Sequence, residues 1–432
     1  MSVEFIGILG IILLVVLMFL RMRLGTAMIL IGLAGYAILA GWDKAMIMIG
    51  LEPYAQTSFY QITALPLFVL MGTIVAAAGI SQDLYDAVRK WIGHVRGGLA
   101  MATAGACGLF AAICGDSIAT AVTMGKIAYP EMKRFKYDDR LASGIIAAGG
   151  TIGILIPPSL GFILYAILTE QSVGQLFIAG IIPGITQVIF YMAAIIIVSR
   201  INPRMGPPGP RVPFKEKVTG TATVWPMVVI FILVMGGIYG GIFTPTEAGA
   251  IGAFWALLLG FAMKRLKWTN IKGALSETAS NTAMILYLLV GAYIFMRFTA
   301  VSNLPCFLSD LIIGIELPRI FILIGILLVY IALGSFLDVL IVIILTTPII
   351  YPTIIGLGYD PIWWGVIMVR IMEMGMVTPP FGINLFVLAK TIKQPLGTVY
   401  RGVLPFVISD IVHISLLVAI PELSLFLVHS MG

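Results

Sequence analysis

The sequence predicts an all-α polytopic membrane protein made of two inverted-topology repeats, and three observations carry that prediction. Of its 432 residues, 60% are hydrophobic and 11% charged, whereas a soluble domain is about 45–50% apolar and about 25% charged. A segment running from Asp116 to Pro183 recurs without a gap 222 positions later. Each copy carries a Pro-Pro pair inside a long apolar stretch, Pro157-Pro158 preceded by Gly153 and Pro379-Pro380 preceded by Gly375. Proline lacks a backbone N–H and clashes with the preceding helical turn, so each pair breaks a membrane helix near its middle. Polar backbone exposed by such a break is tolerated at membrane depth only where protein or a water-filled cavity receives it. One break in each half points to a transporter's substrate and ion site.

Composition excludes several classes. The net charge of +6 is no nucleic-acid signature, because the basic residues lie in short loops between apolar segments. Cys107, Cys114 and Cys306 sit in or beside apolar segments without a CxxC spacing or a nearby histidine, so they read as small packing residues rather than metal ligands or a disulfide. The first apolar run, 5–20, follows Glu4 and precedes Arg21 and Arg23, so it reads as a retained first helix and not as a signal peptide.

The repeat rests on paired dipeptides in one register. Asp116 matches Asp338, Tyr129-Pro130 matches Tyr351-Pro352, Tyr137-Asp138 matches Tyr359-Asp360, and the match extends to Pro183 and Pro405. Shared abundance of Ile or Leu does not produce such pairs. Loop charge then says the copies are inverted, since cytoplasmic loops are enriched in Lys and Arg. The loop after Pro130 holds Lys133, Arg134, Lys136 and Arg140, while its equivalent, 353–362, holds none. One helix later the asymmetry reverses: 169–176 has no basic residue, and its equivalent is framed by Lys390, Lys393 and Arg401.

The elements follow in order. The first repeat, 1–200, is expected to hold helices at about 5–20, 25–41 and 59–80, a surface helix at 82–96, a re-entrant hairpin at about 98–130, a broken helix at about 140–168 and a helix at 176–200. The surface helix is amphipathic, with Leu84, Val88 and Trp91 on one side and Arg89, Lys90 and Arg96 suited to headgroups. Residues 201–223 form a cytoplasmic linker, rich in Pro and Gly over 201–217. The second repeat, 224–432, has helices at 224–242, 246–263 and 276–299, a surface helix at 302–317, a hairpin at about 319–350, a broken helix at about 362–390 and a helix at 400–420. Both termini come out periplasmic. The hairpins are assigned because their middles, Gly115-Asp116-Ser117 and Gly334 to Asp338, are too polar to face lipid and must be shielded by protein.

A hairpin tip brought to a broken helix makes a site for a hard cation such as Na⁺: unwound carbonyls, hydroxyls and a carboxylate supply oxygen, and half-helix N-termini favour an anionic substrate. The first site is expected from Gly115, Asp116 and Ser117 opposite Gly149, Gly150, Thr151, Gly153 and Pro157. The second is expected from Gly334, Ser335 and Asp338 opposite Gly375, Thr378 and Pro379, with Asn384 alongside. Each residue has a plainer role open to it. Membrane hydroxyls often bond their own helix carbonyls, and Asp116 and Asp338 would also serve as caps. Arg370, with Glu373 three residues on, is either a buried ion pair or a guanidinium that receives a carboxylate substrate. Arg297 lies near a helix end and would serve an anion or snorkel.

Together, the stretch Gly153 to Ser159, the stretch Phe243 to Ala248, the stretch Val377 to Asn384 and the hairpin segment Cys114 to Ala121 resemble the large membrane subunit of tripartite ATP-independent periplasmic (TRAP) transporters. The resemblance covers nearly the whole chain. It implies a Na⁺-coupled secondary importer of organic acids such as C4-dicarboxylates and sialic acid, in the bacterial cytoplasmic (inner) membrane. It also implies a scaffold plus a transport domain moving as an elevator, a separate small four-helix membrane subunit, a periplasmic substrate-binding protein and no organic cofactor. Substrate contacts are then expected at Ser117, Ser159, Arg370, Thr378 and Asn384. The family commonly has Gly-Ser-Ser at the first tip, and this chain has Gly115-Asp116-Ser117, which singles out Asp116. The rival within transport is a stand-alone Na⁺- or H⁺-coupled carboxylate carrier. An intramembrane enzyme is disfavoured because His94, His413 and His429 belong to no paired motif. A channel is disfavoured because a reversed duplication with two breaks suits alternating access.

Overall fold

A computed structural model describes residues 2–314 and 317–430. Among them are twenty-one α-helices, one short 3-10 turn and no strand. The first half runs α1 (Val3–Phe19), α2 (Leu24–Ala40), α3 (Trp42–Thr57), the 3-10 turn Tyr60–Thr63, α4 (Ala64–Ala77) and α5 (Ile80–Ile92). It continues with α6 (Gly98–Cys114), α7 (Ser117–Arg134), α8 (Asp139–Leu155), α9 (Leu160–Thr169) and α10 (Val173–Ile201). α11 (Phe214–Ala222) follows, then α12 (Trp225–Tyr239), α13 (Pro245–Ala262), α14 (Trp268–Val301) and α15 (Leu304–Ile313). The chain ends with α16 (Arg319–Phe336), α17 (Val339–Gly356), α18 (Pro361–Met376), α19 (Ile383–Ile392), α20 (Leu396–Ala419) and α21 (Glu422–His429). Among the described residues, seven helices are long and apolar enough to cross a membrane, or up to nine if each bent pair counts as one span. The chain is a multi-pass membrane protein.

Local chemistry starts the helices where the breaks need them. Asp138 caps α8 by accepting from the Arg140 N–H at 2.8 Å, and Asp360 caps α18 by accepting from Ile362 and Trp363, both at 2.8 Å. Thr244 and Glu247 form a reciprocal capping box at the start of α13, with the Thr244 N–H 2.8 Å from Glu247 Oε2. α8 and α9 meet at a bend of 40° across the first diproline.

Several expectations are corrected. A helix, α3, fills 42–57, where none was expected; Asp43, Lys44, Glu52 and Pro53 depress its hydropathy, and Arg297 of α14 pairs with its buried Glu52. The helix expected at 276–299 is longer, spanning 34 residues as α14, about 51 Å at 1.5 Å per residue, while the span expected at 59–80 is present as a 3-10 turn running into α4, Tyr60–Ala77. The linker holds α11, which lies on α5: Trp91 Nε1 donates to Thr221 Oγ1 at 2.7 Å and meets Phe214 edge to face. Trp91 therefore leaves the buried side shared by Leu84 and faces α11. A further helix, α21, follows α20. The expected end of the second surface helix crosses 315–316, outside the described residues.

Glycines let two helix pairs, α2 with α14 and α8 with α20, cross closely. A Cβ on Gly291 of α14 would lie 2.8 Å from the Gly25 carbonyl of α2. A Cβ on Gly402 of α20 would lie 2.0 Å from the Arg140 carbonyl of α8. Close backbone approach through small residues is the usual means of packing membrane helices, since lipid offers no hydrophobic drive between them. Gly402→Ala is therefore expected to destabilise the fold by about 1–3 kcal/mol through overpacking. Gly397→Ala, where an added Cβ meets nothing within 4 Å, is the control; thermal melting in detergent checks both, with only Gly402→Ala lowering Tm.

Candidate functional site

The first hairpin tip sits directly on the first break. Gly115, at φ 62°, turns the chain from α6 to α7, and a Cβ there would lie 2.8 Å from the Pro158 carbonyl. That clash and the left-handed φ both demand glycine. α8 is held between the two arms of the hairpin. A Cβ on Gly149 would meet Cys107 Sγ of α6 at 2.7 Å, while Cβ atoms on Gly150 and Gly153 would meet Ala121 Cβ at 2.7 Å and the Asp116 carbonyl at 2.8 Å. Asp116 caps α7, with Oδ1 accepting from the Ala119 N–H at 2.5 Å. The Ser117 hydroxyl is buried and has no partner. Ser159 caps α9, accepting from the Phe162 N–H at 3.3 Å. Thr151 is not part of this meeting: its hydroxyl donates to the Ala148 carbonyl at 2.7 Å and lies 3.2 Å from the Tyr191 hydroxyl on α10.

The second tip meets the second break in the same way. The Gly382 N–H donates to the Ser335 carbonyl at 3.0 Å, and Cβ atoms on Gly334 and Gly375 would each meet the other helix's backbone, at 2.8 and 2.9 Å. Asp338 caps α17, accepting from the Leu340 N–H at 2.9 Å. The Ser335 and Thr378 hydroxyls donate to their own helices, to Ala332 at 2.8 Å and to Met374 at 2.6 Å, so the plainer role open to them is the one they fill. The Asn384 amide is fully buried, and neither its oxygen nor its nitrogen has a partner. The two breaks differ in exposure. Pro157, Pro158 and Ser159 are buried, whereas Pro380 is exposed, as are Phe336 and Phe381, whose rings meet tilted by 35° with centroids 4.0 Å apart.

Asp116 and Asp338 line one cavity of about 710 Å³ between α4, the first tip, α14 and the start of α17. Thr73, Thr123, Lys126, Asn270, Glu277 and Asn281 also line it. Sequence reasoning missed the last three. Their spacing was a usable signal, because steps of seven and four residues place Asn270, Glu277 and Asn281 on one helical face. A second cavity of about 620 Å³ lies toward the other end of α14, lined by Gln56, Gln61, Glu170, Tyr293 and Arg297 among others. Arg297 donates there to Glu52 at 2.6 Å, so it is paired and does more than snorkel.

Arg370 lines neither cavity. It is fully buried, and its Nη2 donates to Asp410 Oδ1 of α20 at 2.5 Å while its Nε donates to His413 Nδ1 at 3.1 Å. Thr186 of α10 lies 2.9 Å from the other ring nitrogen of His413. Glu373 Oε2 stands 3.9 Å from Arg370 Nη1, beyond hydrogen-bond reach. The expected Arg370–Glu373 pair is thus secondary to Arg370–Asp410, and of the two roles open to Arg370 the buried ion pair is the one its contacts fill. A buried guanidinium requires a carboxylate, and Asp410, an acid inside an apolar helix, was the overlooked sign. His413 has partners that no motif announced. Asp410→Ala leaves Arg370 unpaired and is expected to cost about 3–5 kcal/mol; the Arg370→Met, Asp410→Leu double variant is expected to recover much of it, because apolar replacement of a whole pair is often neutral. Melting of the purified variants is the check.

Known proteins fit this arrangement. Residues 11–423 match the family described as the tripartite ATP-independent periplasmic transporter, DctM component. The chain is 34% identical over 405 residues to the C4-dicarboxylate TRAP transporter large permease protein DctM of Pseudomonas aeruginosa, covering 93% of this chain and 94% of that one. It is 33% identical over 383 residues to the ectoine TRAP transporter large permease protein TeaC of Halomonas elongata, covering 88% of each. It is 30% identical over 369 residues to the sialic acid TRAP transporter large permease protein SiaM of Vibrio cholerae, covering 85% and 86%. The crystal structure of the YdaH transporter of Alcanivorax borkumensis shares the fold at a TM-score of 0.64 and 14% identity, covering 95% of this chain and 99% of that one. With the family description spanning nearly its whole length, the chain belongs to the large permease (DctM) component family of tripartite ATP-independent periplasmic transporters.

Proposed function

We propose that the chain imports a small organic acid across the bacterial inner membrane by Na⁺-coupled, elevator-type alternating access. A separate small four-helix subunit completes the permease, and a periplasmic binding protein delivers the substrate. The observation that carries this reading is the seating of each hairpin tip on its own diproline break, with the carboxylates of both tips lining one cavity. Na⁺ is held by oxygen at the two meetings, and the unpartnered Ser117 hydroxyl and Asn384 amide are polar groups awaiting a ligand. Relatives named for C4-dicarboxylate, ectoine and sialic acid transport support a small organic acid as the substrate.

The inverted-repeat plan is part of the same proposal. Positions 222 apart do the same local work: Asp116 and Asp338 cap the second arm of a hairpin, and Asp138 and Asp360 cap a broken helix. Inversion brings one hairpin in from each side of the membrane, so that their tips meet at one cavity, and puts both termini in the periplasm. A carrier in any one state must treat its two gates differently, and the buried first break and partly exposed second break differ in that way.

Reconstitution into proteoliposomes with the small subunit and binding protein tests the reading. Uptake of a C4-dicarboxylate, sialic acid or a related acid should follow an inward Na⁺ gradient and fail without the binding protein. Uptake that ignores Na⁺ removes the coupling, and uptake by the lone chain favours a stand-alone carrier. Ser117→Ala and Asp338→Ala are each expected to raise the Na⁺ concentration for half-maximal uptake by about tenfold, the worth of roughly 1.4 kcal/mol, with membrane insertion intact. An unchanged Na⁺ response removes the tested residue from the site.

A further inference from the structure

Glu373 is the buried acid that the substrate and ion readings leave unused. It sits on α18 of the second half, fully buried, and its nearest cation, Arg370, is already taken by Asp410. Its Oε1 accepts from the backbone N–H of Ile154 at 3.2 Å, on α8 of the first half. Its other oxygen has no partner.

The acceptor an α-helix assigns to the Ile154 N–H is the carbonyl four residues back, that of Gly150. A carboxylate is a stronger acceptor than a peptide carbonyl. An N–H shared with Glu373 therefore holds the Gly150 carbonyl less firmly. Gly150 lies against the first tip, where an added Cβ would stand 3.0 Å from the Ser117 carbonyl and 2.7 Å from Ala121 Cβ. The unpartnered Ser117 hydroxyl belongs to that same tip. Gly150, whose helical N–H partner Glu373 shares, thus packs against the tip that carries the unused hydroxyl.

We propose that Glu373 is a positioning residue for the first cation site: it draws off the Ile154 N–H and so releases the Gly150 carbonyl toward the ion, without touching the ion itself. The two halves are then coupled, because the second broken helix sets the readiness of the first half's site. This rests on the Na⁺ reading above.

The test uses the permease with its small subunit and measures the Na⁺ concentration for half-maximal uptake, the substrate KM at saturating Na⁺, and the rise of Tm on adding Na⁺. Glu373→Gln keeps an oxygen acceptor but loses its charge; Glu373→Met keeps the volume and removes the acceptor. The expected order is a rise in half-saturating Na⁺ of about threefold for Glu373→Gln and about tenfold for Glu373→Met, the range set by one hydrogen bond, with substrate KM at saturating Na⁺ unchanged and the Na⁺-induced Tm rise displaced in parallel. Equal, large losses in both variants would make Glu373 an ion ligand and overturn positioning. A Glu373→Gln protein with wild-type Na⁺ response overturns it too, and that variant decides the matter if Glu373→Met does not fold. A wild-type protein indifferent to Na⁺ in both uptake and melting sinks the coupling reading, whereas a Na⁺-dependent wild type with the wrong variant order sinks this inference alone.

Discussion

Everything in this molecule depends on how buried backbone is satisfied where two helices are broken in the membrane. A peptide group without a partner at that depth costs several kcal/mol. The chain answers with a hairpin tip at each break. At the first, Gly115 brings the tip against the Pro158 carbonyl; at the second, the Ser335 carbonyl takes the Gly382 N–H. Neither solution tolerates a side chain at the closest approach. The glycines at 115, 150, 153, 334 and 375 are therefore requirements of geometry before they are features of any site.

Satisfaction is incomplete in a pattern that suits transport. Most hydroxyls near the breaks are spent on their own helices, as with Ser335 and Thr378. Ser117 and Asn384 are not, and both are buried. Groups left open in this way are costly unless a ligand returns the energy. The charged interior is arranged differently. Arg370, Asp410, His413 and Thr186 tie α18, α20 and α10 together, and Glu373 ties α18 to α8. The elements bearing both breaks are thereby held to one another by polar contacts that water cannot compete for.

Much of this was legible in the sequence because proline, glycine and acidic residues are costly in membrane helices and so carry information where they occur. The two diprolines located the breaks, and Asp116 and Asp338 located the tips. The missing parts had a different cause. α3 was hidden because Glu52 and Pro53 make it look like a loop, and the charge that pairs the buried Glu52 is Arg297, 245 residues away. The pairing of Arg370 with Asp410 rather than Glu373 is likewise a long-range choice, which helical spacing alone could not rank. Glu277 and Asn281 fell at the start of a helix taken to be purely a span, and Asn270, on the same face, fell before its expected start. Thr151 is expected as a ligand from its place among glycines, and its hydroxyl is spent on the Ala148 carbonyl of its own helix and on Tyr191 of α10.

The central claim is that each tip and break together hold a travelling cation. A density map of the chain with its small partner, in Na⁺ and again with Na⁺ replaced by choline, tests it most directly. The account requires compact density in Na⁺ beside the Ser117 hydroxyl and the Gly150 carbonyl, and beside the second break, that disappears in choline. Density unchanged between the two maps, or none within ligand distance of either break, would contradict it.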